Sequence, residues 1–346
     1  MSYLAEISEI YKTPVTKRNI RFSYEGGHDI SARVKSLTKQ IRDIERQKRA
    51  VVGIDQGIPA MQIGTDKRRE LWAAMKSDPA WVRAYEQIIK LTAPDVDAGA
   101  VVGSIALPDW NDDSALFRVD DNYDISTGSL EVRAKPAHTY LTQLLRAGVV
   151  HDDSASISNA LITSDELIVM GWRGGQSFYN IIMAMPAGSL EYHTGCNPLF
   201  ETWEKEMKEE TGLSPELLGE TSVVARVVDQ TTQRNSSLYV FRTNLPVSFA
   251  ELQYFWIKNA ADRHEHKFLL PFDDNNPDLV LRLFSENTYS REAANPVKPS
   301  ATTPANVGTV LPPGAITVLA HYAQREGLDW AREAQEILKN NYRLHD

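Results

Sequence analysis

Lys205-Glu206-Met207-Lys208-Glu209-Glu210-Thr211-Gly212-Leu213 is the segment whose residue types and spacing could do chemistry. On a helix, side chains three and four positions apart share a face, which sets Glu206 beside both Glu209 and Glu210. Three carboxylates on one face repel each other unless something positive lies among them. A hard divalent cation such as Mg²⁺, or Mn²⁺ in its place, takes oxygen ligands and resolves that repulsion. Held there, such an ion could bridge phosphate oxygens and activate a water. The competing reading is a solvated Glu/Lys-rich helix, for which these residues are ordinary.

Glu206, Met207, Glu209, Glu210, Gly212 and Leu213 match in register the second half of the Nudix hydrolase signature, Arg-Glu-U-x-Glu-Glu-x-Gly-U, with U a bulky aliphatic residue. The surroundings resemble that family too. Asn159–Arg173 looks like its hairpin and Pro186–Glu191 like the turn before its helix, so the resemblance covers about residues 155–285. It implies an α/β/α sandwich with a mixed sheet and a Mg²⁺-dependent pyrophosphohydrolase. Glu206 and Glu210 would be principal metal ligands, and Glu209 would support the metal or activate water. Lys205 stands where the family has arginine; it keeps the charge that orients the cluster but loses the planar two-pronged donor. The family's first glutamate falls on Asn197 and its glycine on Glu191, so the turn carries a three-residue insertion around Tyr192–Cys196. Asn197 before Pro198 suits a helix cap followed by proline at the first helical position. The resemblance also implies a further acidic group in the loop Ala261–Pro271. Glu265 is the candidate metal ligand or general base and Asp262 the runner-up, with a charged surface loop equally able to explain either.

Arg173 and Gly188 are candidates for substrate binding. Trp172, Phe178 and Tyr179 could stack on a base, although aromatic residues beside a strand more often belong to a core. Gly171, Gly174 and Gly175 give a flexible turn and not a dinucleotide fingerprint. His264 and His266 flank Glu265, but with no third ligand nearby they read as polar surface and not as zinc ligands. The basic run Arg33–Arg49 fits a solvated amphipathic helix better than a nucleic-acid contact.

The elements that must position these residues follow from periodicity. Ala32–Ala50 spaces Val34, Leu37, Ile41 and Ile44 as one helical face. A second helical run, about Lys67–Leu91, offers Leu71, Trp72, Met75, Trp81 and Tyr85 to a core and breaks near Asp78-Pro79. About Pro94–Ser126 reads as irregular connection with short strands, and about Ala137–Ala147 as a third short helix. Ala160–Thr163 and Leu167–Trp172, split by Ser164-Asp165-Glu166, read as a hairpin. A helix follows over about Pro198–Thr211 and ends at Gly212. Strands are expected at Ser222–Val228, Ser237–Arg242 and Lys267–Phe272. Residues 286–314 hold five prolines and read as an extended, loosely packed connection. A final helix, or two, covers about Ala315–Asn341. The fold class is therefore α/β. The chain divides into a mostly helical 1–150, a Nudix-like catalytic 151–285, and a connection with C-terminal helix over 286–346.

The chain has 346 residues, 42% hydrophobic and 24% charged, which suits two or so globular domains. Residues 1–150 carry 21 basic and 20 acidic side chains, and the remainder 16 and 26. That acidic remainder argues against wrapping nucleic acid, which needs excess Lys and Arg. Apolar runs such as Leu167–Gly171 fall far short of the roughly 20 residues of a membrane helix, and Met1–Ile7 does not resemble a secretory signal. The single cysteine, Cys196, excludes an internal disulfide and suits the cytoplasm. The expected partner is a nucleotide-derived small molecule; a homo-oligomer is compatible with the sequence. Two functions stay open: hydrolysis of a nucleoside diphosphate linked to another moiety, or a Nudix-like nucleotide sensor with little or no turnover.

Overall fold

Short runs of β-branched and aromatic residues build the strands of a mixed sheet, and the helices carry apolar stripes that pack in two separate places. The computed structural model describes residues 5–25, 27–56, 63–92, 94, 97–99, 115–137, 153–173, 181–191, 197–229, 236–286, 288–290, 295–296, 307–310, 312–327, 329–334 and 336. Phe178, Tyr179, Gly174, Gly175, the Tyr192–Cys196 insertion, Leu338 and most of 286–314 lie outside them. So does the helix expected at Ala137–Ala147, apart from Ala137, which ends a strand.

In chain order the elements are β1 (Ala5–Val15), β2 (Ile20–Tyr24), α1 (Gly27–Val51), α2 (Thr65–Lys76), α3 (Pro79–Thr92), β3 (Ala115–Asp124), β4 (Ser129–Ala137), β5 (Asp153–Ile162), β6 (Leu167–Arg173), β7 (Ile181–Ala184) and β8 (Ala187–Ser189). Then come α4 (Pro198–Glu206), β9 (Thr221–Asp229), β10 (Ser236–Asn244), α5 (Phe249–Asn259), β11 (His266–Asp273), α6 (Pro277–Glu286), β12 (Thr288–Ser290), β13 (Asn295–Pro296), β14 (Val307–Val310) and α7 (Pro312–Glu326). No helix among the described residues is long and apolar enough to cross a membrane.

The chain forms two compact units that interleave along the sequence. One takes Phe22–Asp121 and Val132–Ser154, the other Met1–Arg21, Asn122–Glu131 and Ala155–Asp346. The boundary expected near residue 150 falls outside the described residues.

The first of these units packs α1, α2 and α3 around Ile41, Ile44, Leu71, Met75, Trp81, Tyr85 and Ile88, all buried. Trp81 meets Trp72 edge-on at 5.1 Å and Tyr85 at 4.4 Å. Asp78 separates α2 from α3 by accepting from the Ala80 N–H at 2.9 Å and pairing with Lys48 at 2.8 Å. In the basic run on α1, Arg46 pairs with Asp43, and Arg49 is buried and bonded to Glu45. Pro94–Ser126, expected to be irregular connection with short strands, includes the ten-residue strand β3.

The other unit carries the acidic helix. Its sheet runs β1-β9-β10-β5-β6-β7-β14, with β11 also on β6 and β8 on β5. β14 is parallel to β7, whereas β1–β9, β9–β10, β6–β7 and β6–β11 are antiparallel, so the sheet is mixed. Two features depart from the sequence reading. Residues 5–15, placed in a mostly helical region, form an edge strand opposite Val223–Asp229. Most of the Pro-rich stretch lies outside the described residues, but within it Val307–Val310 joins the sheet. The hairpin matches its expectation: Leu161 pairs Val169 across a turn in which Glu166 has φ 60°.

Helices lie on both faces. Leu238 and Val240 of β10 share a buried cluster with Ile316, Leu319 and Tyr322 of α7. Phe241, the next residue, meets Phe200 and Trp203 of α4 at 5.1 and 5.9 Å. Successive strand residues point to opposite faces, so α7 and α4 flank the sheet from either side. Burying such side chains contributes about 1.5–3 kcal/mol each, enough to fix α4 rigidly on the sheet. After Gly327, with φ 97°, residues 329–334 are helical again, where a final helix, or two, was expected.

Candidate functional site

The acidic helix is held at both ends. Asn197 caps it, accepting from the Phe200 N–H at 3.4 Å, with Pro198 at the first position. Its Nδ2 also donates to the Lys17 carbonyl at 3.2 Å, and Lys17 pairs with Glu204 at 2.7 Å. The cap role expected for Asn197 is thus observed, and residues just beyond β1 reinforce it. Beyond Glu206 the helix continues in a wider π-type turn, Met207–Thr211, and stops at Gly212 with φ 73°. A Cβ on Gly212 would lie 2.6 Å from the Ala260 nitrogen and 2.7 Å from the Phe255 carbonyl oxygen. The end of α5, a helix the sequence reading did not anticipate, therefore packs directly on this turn.

The carboxylates occupy different surroundings. Glu206 is partly buried, and its carboxyl is pushed up to about 9 by burial first and by Glu210 second, with Lys205 opposing. Gly188 on β8 lies directly against it: a Cβ there would sit 2.4 Å from Glu206 Oε1 and 2.7 Å from Cδ. Glu209 is raised by burial, with Lys205 pulling the other way and Asp262 adding repulsion. Glu210 is buried at 4% exposure, and its Oε2 lies 3.0 Å from His266 Nε2.

Lys205 reaches Glu191 Oε1 at 2.5 Å and Glu209 Oε2 at 3.7 Å. Burial disfavours its charge, but Glu191, Glu209 and Glu206 outweigh burial and raise its pKa above the ordinary lysine value. Glu191, which alignment to the signature had set at a glycine position, supplies the carboxylate that holds Lys205. Its own N–H donates to Thr202 Oγ1 at 3.2 Å, so the segment after β8 is tied to α4.

Arg173, at the end of β6, is ion-paired through Nη2 with Glu265 Oε2. Glu265 is therefore joined to the other candidate on this strand edge, while Asp262 lies nearer the acidic helix, its N–H donating to the Glu209 carbonyl at 2.9 Å. Trp172 is buried and edge-on to Phe268 at 5.9 Å, a core position. His264 is exposed, as expected. His266 is a correction: it is 4% exposed and bonded to Glu210, not polar surface. The register of β11 on β6 brings it there, with Gly171 leaving room for the ring. Sequence carried one trace of this, a histidine opening an apolar strand, but its partner lies 56 residues away.

Glu206, Glu209, Glu210, Lys205 and Gly188 thus come together, and Arg173 and Glu265 pair with each other. Among the described residues no three His, Cys, Asp or Glu side chains already converge as a ready metal-ligand set. The carboxyl of Glu206 is crowded by burial and by Glu210, a repulsion of the kind a hard cation would relieve.

No protein-family model matches the chain, and no curated protein does. Among solved structures it is similar to DR0079 from Deinococcus radiodurans, with 14% identity over 42% of this chain and 76% of that one, at a TM-score of 0.29.

Proposed function

We propose that this chain is a Nudix-type, Mg²⁺-dependent hydrolase that cleaves the diphosphate bond of a nucleoside diphosphate linked to another moiety. The observation that carries this reading is the crowding of carboxylates at Glu206, whose carboxyl is pushed up to about 9 by burial and Glu210. Glu206, Glu209 and Glu210 would hold Mg²⁺, or Mn²⁺. Such an ion supplies charge neutralisation at phosphate oxygens and a more acidic bound water.

The remaining roles belong to the chain itself. Glu209, more exposed than Glu210 and raised by burial, is suited to accept a proton from the attacking water. Lys205, held by Glu191 and 3.7 Å from Glu209, keeps that carboxylate oriented. Arg173 offers its guanidinium to a substrate phosphate, and Glu265 holds the guanidinium in place through the ion pair. This division differs from the sequence reading, in which Glu265 was the candidate for a further metal ligand or general base: its Oε2 is engaged by Arg173. The single cysteine suits a reducing compartment such as the cytoplasm.

The test is a substrate panel containing ADP-ribose, a nucleotide sugar, a dinucleotide and a nucleoside triphosphate, followed by phosphorus NMR with Mg²⁺ or with EDTA. Cleavage at the diphosphate only with metal, lost in Glu210→Gln, supports the reading. Binding of these nucleotides without turnover of any would favour the sensor instead.

A further inference from the structure

We propose that His266 is the positioning residue of the acidic cluster, donating from Nε2 to Glu210 so that this carboxylate is presented to a divalent cation in one orientation. The inference rests on the metal-site reading above and adds to it the strand residue that aims a helix carboxylate. Glu210 and His266 are each 4% exposed, and their atoms lie 3.0 Å apart. A carboxylate so buried needs a hydrogen-bonded partner, and His266 supplies it.

The ring is fixed on its other side by shape. It lies over Gly171 of β6, where a Cβ would fall 2.4 Å from Nδ1 and 2.5 Å from Cε1. Its Nδ1 has no hydrogen-bond partner among the described residues. With a proton on Nε2 directed at Glu210, an Nδ1 left as an acceptor costs less than an orphaned N–H would. Shape and one hydrogen bond therefore fix the same ring position, with Nε2 toward Glu210. The β6–β11 register shifts between His266 and Phe268, an irregularity of the kind that re-aims a side chain. His266 is thereby anchored in the sheet while its partner belongs to the helix, so the pair locks one to the other.

The experiment is Mn²⁺ titration followed by electron paramagnetic resonance, with thermal melts of each metal-free protein. His266→Leu removes the donor, and Gly171→Ala displaces the ring without touching the cluster. Each should raise the Kd for Mn²⁺ about 10–100-fold, as loss of a ligand-orienting partner does. His266→Gln, whose amide nitrogen reaches the Nε2 position, should stay within about threefold of the wild type. Wild-type affinity in a folded His266→Leu or Gly171→Ala protein overturns the positioning role while leaving the metal site standing. If His266→Leu does not fold, His266→Asn, polar but too short, makes the same comparison with Gln. Absence of Mn²⁺ binding by the wild type overturns the metal site and the positioning role together.

Discussion

Gly188→Ala tests the cluster without altering a charge. Gly188 pairs with Ile157 in the β5–β8 ladder, so its backbone is held by the sheet. The new Cβ would start 2.4 Å from Glu206 Oε1, 2.7 Å from Cδ and 3.1 Å from Cγ. Ordinary carbon–oxygen contact is roughly 3.3 Å, so the carboxylate must retreat by about 1 Å. The yielding group is the far end of a flexible side chain, and a displaced rotamer costs about 0.5–1.5 kcal/mol. Global stability should therefore fall by only about 1 kcal/mol. A displacement of that size at a reacting centre costs about 10²-fold in rate, close to 3 kcal/mol of transition-state stabilisation. Thermal melts, Mn²⁺ titration and turnover of the best panel substrate measure the three quantities on one sample. Unchanged turnover and Mn²⁺ affinity would refute the role of Glu206 as a ligand. A loss of several kcal/mol in stability would show that the strand moves instead of the side chain.

Other perturbations have definite signs. In metal-free protein the carboxyl of Glu206, ordinary near 4.5 and folded near 9, keeps a proton that the unfolded chain releases. Stability should then fall as pH rises across that window, and Glu206→Gln should flatten the dependence while abolishing metal-dependent turnover, both checked by melts and assay across pH. Asp274 behaves oppositely: burial raises its pKa, but His321 at 2.8 Å, with Arg325, holds it below its ordinary 3.8. Its contribution is present above pH 3.8 and lost as pH falls through the folded value. Asp274→Asn should cost about 1–3 kcal/mol near neutrality and flatten the acid limb of a denaturation series. Asn197→Ala should destabilise by about 1–2 kcal/mol through loss of the cap and leave the Kd for Mn²⁺ unchanged, read by urea melts and titration. Glu265→Gln should raise KM more than it lowers kcat, because it releases Arg173 and not the metal; a fall confined to kcat would return Glu265 to the role of base.

The acidic helix was legible because every signal for it is local. Asn197-Pro198 starts it, Gly212 ends it, and the i, i+3 and i+4 spacing of the glutamates sets their face. The β5–β6 hairpin and strands β9, β10 and β11 were legible for the same reason, as short apolar runs between polar turns. What escaped was made by pairing across long separations. β1 becomes a strand because β9 offers it an open edge more than 200 residues later, and nothing in Ala5–Val15 alone names that edge. Gly188 and Gly171 matter for what they leave out, and the side chains filling those gaps, Glu206 and His266, come from other elements. His266 sits in Asp-Arg-His-Glu-His-Lys, a run that looks solvated until strand register turns one of its members inward. Helix α5 has a capping box at Ser248 and Glu251, a local signal set close before the run Tyr254–Ile257.

Hydrolysis of the best panel substrate in ¹⁸O-labelled water, with Mg²⁺ and mass spectrometry of the products, tests the central claim most directly. Water attack at phosphorus gives two phosphorylated products, one of them carrying a single label, and no reaction is expected in Glu210→Gln or with EDTA. Label-free products, or turnover that survives both controls, would contradict it.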